Sequence, residues 1–315
     1  MALGYPVPGR SACVKSIGIG SPGAVAFRKP LIAVNRRLSG LRPATVQVGP
    51  HLVHYLEGGK GEPVILLHGI FAEKDHWFEF ARKLTGRYRV IIPDLPGHGE
   101  SSRLPDQGYD YAAQTERMHA LLDALDVPRA HLAGSSMGGT IAALYAMRHA
   151  DRVASVAFVG APHGILSPSP SRMDKLIDAG RSPLIARDAA EFEQMLSLLF
   201  VKRPFMPRPI LLAARSEAIR NAESNQRLWR EQLGDRHLLH TCVEDLRVGT
   251  LLLWGAGDRV FDVSGAEVLR SRLENLQAHV MQGVGHLPMM EAPGKSSQIY
   301  ARFLASMPRR RSACP

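Results

Sequence analysis

Three residue types that together activate a hydroxyl group follow one another along the chain. Ser136 is the central residue of a Gly-x-Ser-x-Gly pattern at residues 134–138, and Asp258 and His286 each follow a glycine. A serine hydroxyl is a weak nucleophile at neutral pH, so it needs a histidine as base and a carboxylate to orient that histidine. The order serine, acid, histidine is typical of a nucleophile on a sharp strand-to-helix turn. We therefore predict acyl transfer, with Ser136 as nucleophile, His286 as general base and Asp258 as orienting acid.

The position of the serine pattern supports this prediction more than the pattern does. Composition alone yields on the order of 0.2 matches to Gly-x-Ser-x-Gly in a chain of this length, so the match itself is weak. The apolar run 130–133 precedes it and the helical segment 140–149 follows it. At such a turn the two glycines lie too close to neighbouring backbone to carry a side chain, and the hydroxyl of Ser136 is presented above the sheet.

The acid and the oxyanion hole each leave an alternative open. Asp262 lies one turn beyond Asp258 and is the second candidate for the acid. The oxyanion of an acyl-transfer intermediate needs two preorganised N–H donors. We expect the amide of Met137, directly after the nucleophile, to supply one donor. The amide of Ile70, or in second place that of Phe71, supplies the other.

Apolar residues in the second half of the chain predict a groove for an acyl chain. The alternative is that they pack helices on the core, which is the default for apolar residues at helical spacing. The residues that we assign to substrate binding are Phe71, Met195, Phe205, Phe261 and Leu287. The wider set of candidates also contains Met173, Met206, Met289, Met290, Phe192, Phe200 and Trp229.

The elements that must position these residues form a sheet. Two alternating segments flank Gly49-Pro50 and predict a hairpin. Short apolar runs alternate with helical segments over the rest of the chain, which is typical of a parallel sheet buried on both faces. We therefore predict an α/β fold with a mostly parallel, doubly wound, eight-stranded sheet, whose carboxyl edge brings the three catalytic candidates together. The hairpin strands are 45–48 and 52–56, and the later runs are 64–67, 90–92, 130–133, 153–159, 251–254 and 279–281.

One interval interrupts this alternation. Between Gly160 and Thr250 the chain shows only helical signals, at 172–179, 189–200 and 210–233, separated by proline-rich turns. A simple crossover between two strands does not need so many residues, so we predict an inserted helical cap. The predicted organisation is a poorly ordered leader 1–44, a core formed by 45–162 and 241–308, a helical cap 163–240 and a basic tail 309–315.

Five motifs in a fixed order resemble the α/β-hydrolase superfamily, over about Thr45 to Phe303. They are His68-Gly69, the run 94–101 (Asp-Leu-Pro-Gly-His-Gly-Glu-Ser), the serine turn, Gly257-Asp258 and Gly285-His286. Within that superfamily, residues 68–77 and 136–139 resemble bacterial lipases and monoacylglycerol lipases. The resemblance implies an α/β-hydrolase fold and a lipase or esterase that cleaves carboxylic esters, acylglycerols included, through an acyl-enzyme. It implies no metal and no cofactor.

Other activities stay open at the level of motifs. A carbon–carbon bond hydrolase, or a cofactor-free perhydrolase of the haloperoxidase type, uses the same triad. A ligand receptor without catalysis could share the scaffold, because fold alone does not fix function. Epoxide hydrolases and haloalkane dehalogenases are disfavoured, since their turn carries aspartate where this chain has Ser136. The acyl length, the alcohol and the oligomeric state are not given by the sequence.

Composition excludes several protein classes. The chain has 315 residues, 45% of them apolar, and 39 Lys and Arg against 29 Asp and Glu, for a net charge of +10. These values exclude a disordered chain, collagen and a coiled-coil rod. The basic residues are dispersed and no zinc-finger spacing or aromatic RNA-binding motif accompanies them, so we predict no nucleic-acid partner. The predicted partner is a small-molecule ester or lipid.

Cysteine usage and hydropathy bear on location. Cys13, Cys242 and Cys314 are far apart and odd in number, which excludes an internal disulfide framework and favours a reducing compartment. No apolar run is long enough to cross a membrane. Residues 16–27 approach a signal peptide, but glycines and a proline interrupt them. We predict a cytoplasmic protein, with export and contact with a membrane surface as alternatives.

Overall fold

The computed structural model describes residues 22–308, and its centre is an eight-stranded sheet in the order β1-β2-β4-β3-β5-β6-β7-β8. Strand β2 is antiparallel to its neighbours β1 and β4, and all other neighbours are parallel. The mostly parallel, eight-stranded sheet predicted from the sequence is confirmed. The strands are β1 (Arg42–Val48), β2 (His51–Gly58), β3 (Pro63–Leu67), β4 (Arg89–Pro93), β5 (Ala130–Ser136), β6 (Val153–Pro162), β7 (Thr250–Gly255) and β8 (Leu276–Met281).

Helices cover both faces of this sheet. Successive side chains of a strand point to opposite faces, and strand β3 shows the consequence. Ile65 and Leu67 belong to one hydrophobic cluster, with Trp254, and their neighbours Val64 and Leu66 belong to the other, with Trp77. The helices outside the interval between β6 and β7 are α1 (Pro22–Leu38), α2 (Phe78–Ala81), α3 (Tyr111–Ala124), α4 (Met137–Arg148), α10 (Gly265–Arg272), α11 (Pro288–Glu291) and α12 (Pro293–Ser306).

The interval between β6 and β7 is helical, as the sequence predicts, and we call its helices the insertion. The insertion consists of α5 (Arg172–Asp178), α6 (Ala189–Leu199), α7 (Arg208–Arg220), α8 (Ala222–Gly234) and α9 (Leu238–Cys242). Residues 210–233, predicted as one helix, form two, which meet at Asn221. No glycine or proline marks this break, but asparagine competes for backbone hydrogen bonds and is common at helix ends. That the insertion is a separate cap with limits 163–240 stays a prediction.

The amino-terminal part differs from the expected leader 1–44. Helix α1 occupies Pro22–Leu38 and β1 begins at Arg42. Arg36 makes two hydrogen bonds to the carboxylate of Asp75, Nε to Oδ1 at 2.7 Å and Nη2 to Oδ2 at 2.6 Å. This paired contact orders the end of α1 against the core, which a composition-based prediction of disorder does not anticipate. Residues 1–21 of the predicted leader and the basic tail 309–315 lie outside the described residues.

Candidate functional site

The serine turn joins β5 to α4. Ser136 has φ 51° and ψ −118°, a backbone conformation that non-glycine residues rarely adopt. A Cβ at Gly134 would lie 2.2 Å from the carbonyl carbon of Gly138, and a Cβ at Gly138 would lie 2.3 Å from the carbonyl oxygen of Leu67. Both positions therefore require glycine, for the steric reason given by the sequence pattern. The side chain of Ser136 lines a cavity at the carboxyl edge of the sheet.

The loop after β3 lies directly against this turn. A Cβ at Gly69 would lie 3.3 Å from the Cβ of Ser136, a tight contact, so glycine at this position lets the loop pass close to the nucleophile. The amide of Ala72 donates to the carbonyl of Gly69 at 3.3 Å, and Phe71 has a positive φ of 57°. Ile70 lines the same cavity as Ser136. The loop thus passes beside the nucleophile at the position where we predict an oxyanion donor from Ile70 or Phe71.

The other predicted oxyanion donor, the amide of Met137, is at the start of a helix. Met137 is the first residue of α4, and first-turn amides have no acceptor within their own helix. The positive end of the helix dipole adds to the field that stabilises an anion there. This amide is suited to donate a hydrogen bond to an oxyanion that forms on a group bound at Ser136.

The structure brings Asp258 and His286 together. Nδ1 of His286 lies 2.8 Å from Oδ2 of Asp258, and both side chains are buried. The other carboxylate oxygen accepts the amides of Val260 at 2.8 Å and Phe261 at 3.1 Å. These bonds fix the carboxylate, so the histidine donates Nδ1–H to it and keeps Nε2 as a proton acceptor.

Asp262, the second candidate for the acid, lies elsewhere. Its Oδ1 accepts the amide of Ser264 at 3.0 Å, and its carbonyl accepts the hydroxyl of Ser167 at 2.9 Å. These contacts stabilise the turn before α10. The geometry therefore favours Asp258 as the partner of the histidine.

The base and the nucleophile follow different strands, Ser136 at the end of β5 and His286 after β8. Within residues 22–308 the hydroxyl of Ser136 makes no hydrogen bond to the ring of His286. The ring of His286 packs edge-on against Phe261, with centroids 5.3 Å apart, and Phe261 lines the cavity with Ser136. Hydrogen bonds between a catalytic base and its nucleophile often tighten only when substrate binds.

The cavity has a volume of about 400 Å³ and lies between the sheet edge and the insertion. One part of its wall is apolar, and another carries polar and charged side chains. The apolar residues are Ile70, Ile165, Leu166, Met173, Ile177, Leu184, Trp229, Leu233, Val260 and Phe261. The polar and charged residues include Ser136, His163, Asp174, Asp178, Gln232, Arg236 and His237.

Of the five residues assigned to substrate binding from the sequence, Phe261 lines this cavity. Phe205 is 92% exposed, and Leu287 is buried in the core. Phe71 and Met195 pack on hydrophobic clusters beside the cavity. Phe205 lies between α6 and α7 in a proline-rich segment outside any helix, so helical spacing does not apply to it.

Sequence reasoning missed several wall residues. His163 and Ile165 directly follow β6, and Val260 follows the acid after β7. Their closeness to the carboxyl ends of two parallel strands is a signal that could have identified them. Met173 and Trp229 belong to the wider set of apolar candidates and do line the cavity.

Residues 94–101 form a cluster of charges with the loop after β3. Both carboxylate oxygens of Asp94 accept hydrogen bonds from Lys74, from its amide at 2.7 Å and its ammonium at 2.6 Å. Lys74 also pairs with Glu100 at 2.5 Å. Burial opposes the charge on Lys74, but the two carboxylates hold its pKa above the ordinary value. The cluster fixes the loops after β3 and β4 relative to each other.

No group of His, Cys, Asp and Glu side chains in the described part of the chain is arranged to hold a metal ion. No helix among those residues is long and apolar enough to cross a membrane.

Comparison with known proteins gives consistent results. A family model described as the alpha/beta hydrolase fold matches residues 62–293. Monoacylglycerol lipase abhd6-B of Xenopus laevis is 32% identical over 286 residues, which are 86% of this chain and 85% of that protein. Lipase 1 of Psychrobacter immobilis is 30% identical over 291 residues, covering 90% of this chain and 91% of its own.

A solved structure described as a membrane phospholipase A, a bacterial virulence factor, is also similar. It is 37% identical, with a TM-score of 0.87, and the match covers 90% of this chain and 92% of that one.

Proposed function

Because the chain belongs to the α/β-hydrolase family and is a carboxylic-ester hydrolase, we propose that it cleaves esters with one acyl chain, acylglycerols among them, through Ser136, His286 and Asp258. The observation that carries this proposal is the buried pair of Asp258 and His286, 2.8 Å apart, at the sheet edge where the strained serine turn presents Ser136. Strands β5, β7 and β8 all end at that edge. Ser136 is the last residue of β5, and the turns after β7 and β8 carry Asp258 and His286.

The proposed mechanism has two acyl-transfer steps. Nε2 of His286 takes the proton of Ser136 as its oxygen attacks the ester carbonyl, and Asp258 stabilises the imidazolium. The amides of Met137 and Ile70 donate to the oxyanion. His286 then gives the proton to the leaving alcohol, which departs as an acyl-enzyme forms. Water, deprotonated by the same histidine, releases the carboxylic acid and regenerates the serine.

The size of the cavity supports a single-chain substrate. Ligand sites commonly measure about 300–1,000 Å³, so a cavity of about 400 Å³ is at the small end of that range. Its apolar wall is suited to an acyl chain, and the names of the lipase relatives fit that chemistry. We also propose that the enzyme contacts a membrane surface, where such substrates reside, since the phospholipase that it resembles is described as a membrane protein. The cytoplasmic location stays a prediction.

An ester-hydrolysis series tests the proposal. Wild-type enzyme should hydrolyse p-nitrophenyl esters of short and long acyl chains and a monoacylglycerol. Ser136→Ala should lower kcat by at least about 10⁴-fold, because the nucleophile is lost while binding and oxyanion donors remain. A fluorophosphonate should label wild-type enzyme once and leave Ser136→Ala unlabelled, with both proteins melting at similar temperatures.

Two outcomes would contradict the proposal. Full labelling of Ser136→Ala would show that another residue is the nucleophile. Turnover of a ring-fission diketone, or formation of peracetic acid from acetate and hydrogen peroxide, without turnover of any ester, would assign the triad to carbon–carbon hydrolysis or perhydrolysis instead.

A further inference from the structure

A second histidine, His163, lies in the same cavity as Ser136, and the mechanism above does not use it. Its backbone is tied to the serine turn. Its amide donates to the carbonyl of Ser136 at 3.3 Å, and its carbonyl accepts the hydroxyl of Thr140, on α4, at 2.6 Å. The position of this residue is therefore fixed relative to the nucleophile.

The ring of His163 is also held on two sides. It stacks on Tyr111, with centroids 5.7 Å apart and an interplanar angle of 19°, and it contacts Phe261 at 5.7 Å. The hydroxyl of Tyr111 lies 2.9 Å from Nδ1 of His163 and donates to Oε1 of Gln232 at 3.4 Å. The amide nitrogen of Gln232 donates to Sδ of Met137, so its Oε1 faces the phenol and accepts the phenol hydrogen. We therefore assign Nδ1–H of His163 as the donor to the phenol oxygen. Nε2 then carries the lone pair.

Nε2 of His163 has no hydrogen-bond partner among the residues that the structure describes. The histidine is half-buried, and the part that is not covered by protein faces the cavity that it lines. The ring thus offers one hydrogen-bond acceptor to a bound molecule, beside the nucleophile.

The electrostatic surroundings keep this imidazole neutral. Burial, and then electrostatic interactions with Arg236 and His237, lower the pKa of His163 to about 4, against an opposing contribution from Asp174. A neutral imidazole with a lone pair pairs well with an O–H donor. It does not pair with an anionic oxygen, which has no hydrogen to donate.

We propose that His163 accepts a hydrogen bond from a hydroxyl group on the alcohol portion of the substrate, so that the enzyme prefers esters of polyols to esters of simple alcohols. The inference rests on the proposed function, because it places the scissile ester at Ser136. The acyl chain occupies the apolar wall formed by residues such as Met173 and Leu184. The alcohol portion then lies near the serine turn, where His163 is fixed.

The test compares two esters that share an acyl chain and differ in the alcohol. The substrates are monodecanoylglycerol, which has free hydroxyl groups, and ethyl decanoate, which has none. His163→Phe keeps an aromatic ring between Tyr111 and Phe261 but removes the acceptor. We expect kcat/KM to fall about tenfold on the glycerol ester, equivalent to about 1.4 kcal/mol, and to change less than about twofold on the ethyl ester.

Two further variants complete the design. His163→Gln retains an acceptor and should keep part of the preference for the glycerol ester. His119→Phe makes the same substitution on α3, outside the cavity wall, and should leave both substrates unaffected. If His163→Phe does not fold, wild-type enzyme can be compared on monodecanoylglycerol and its dimethyl ether, whose hydroxyls are blocked. The ether should react about tenfold more slowly.

The outcomes separate this inference from the proposed function. Equal losses on both esters in His163→Phe would show a structural role and overturn the inference, as would equal rates of wild-type enzyme on the glycerol ester and its dimethyl ether. Failure of wild-type enzyme to hydrolyse any ester would instead overturn the proposed function, and the inference with it.

Discussion

At the scale of single residues, the sequence pattern predicts the types and order of the catalytic candidates but not every identity. Asp258 and Asp262 are the same residue type and lie four positions apart, so the sequence pattern alone cannot distinguish them. Local backbone geometry distinguishes the two carboxylates. The amides of Val260 and Phe261 hold one oxygen of Asp258 and leave the other for His286, whereas Asp262 bonds to the amide of Ser264.

This difference predicts unequal effects of two matched substitutions. Asp258→Asn should lower kcat on p-nitrophenyl esters on the order of 10⁴-fold, because an amide in place of the carboxylate favours the wrong tautomer of His286 and no longer stabilises its cation. Asp262→Asn should change kcat less than about threefold, since its carboxylate does not contact the histidine. Steady-state rates and melting temperatures of both variants check this. A larger loss of kcat in Asp262→Asn would show that the acid is assigned wrongly.

At the scale of elements, the sequence predicts the strands better than it predicts what each helix face contacts. Short, continuous apolar runs are typical of parallel strands buried on both faces, so these runs predict the sheet. A helical repeat tells which residues share a face, but it does not tell whether that face meets the core or a cavity. Met195 and Ile177 show this ambiguity, since the first packs on hydrophobic clusters and the second lines the cavity.

The position of α5 predicts how the length of the acyl chain is limited. Ile177→Phe adds bulk to the apolar wall and should shorten the preferred acyl chain. Each methylene that no longer fits loses about 0.8 kcal/mol, which is roughly a fourfold loss in kcat/KM per carbon. Rates on acetate esters should be nearly unchanged. Phe205→Ala is the control, because this side chain is 92% exposed and its removal should leave the preference as it is.

Values of kcat/KM for esters of two to twelve carbons, with a melting curve for each variant, provide the measurement. An unchanged optimum in Ile177→Phe, or a shifted optimum in Phe205→Ala, would place the acyl groove elsewhere than in this cavity.

At the scale of the whole molecule, contacts between distant parts of the chain escape sequence reasoning. Arg36 and Asp75 are 39 positions apart, and nothing in composition or periodicity pairs them. The same holds for the residues that fix His163, because Tyr111 is on α3 and Gln232 is on α8. Pairing of this kind depends on the folded arrangement of the sheet and the insertion, which one sequence does not contain.

Two histidines whose pKa values are lowered by their protein surroundings make the stability of the molecule depend on pH. Burial, and then the charge of Arg129, lower the pKa of His131 from 6.5 to about 4, and the pKa of His163 is lowered to a similar value. The folded pKa lies below the unfolded one, so between pH 6.5 and 4 the unfolded chain binds more protons than the folded chain. The free energy of unfolding should therefore fall as the pH drops through this window, and it should do so before the carboxylates titrate.

A single substitution tests this dependence. We expect each of the two histidines to remove about 1–2 kcal/mol from the free energy of unfolding between pH 7 and pH 5. His131→Gln removes one titrating group, whose Nδ1 is bound to the hydroxyl of Ser155 at 2.8 Å, and should flatten the pH dependence by that amount even if it lowers stability at pH 7. Urea unfolding at half-unit pH steps gives both slopes. Parallel pH profiles for wild type and His131→Gln would mean that this histidine is protonated in the folded protein as readily as in the unfolded chain.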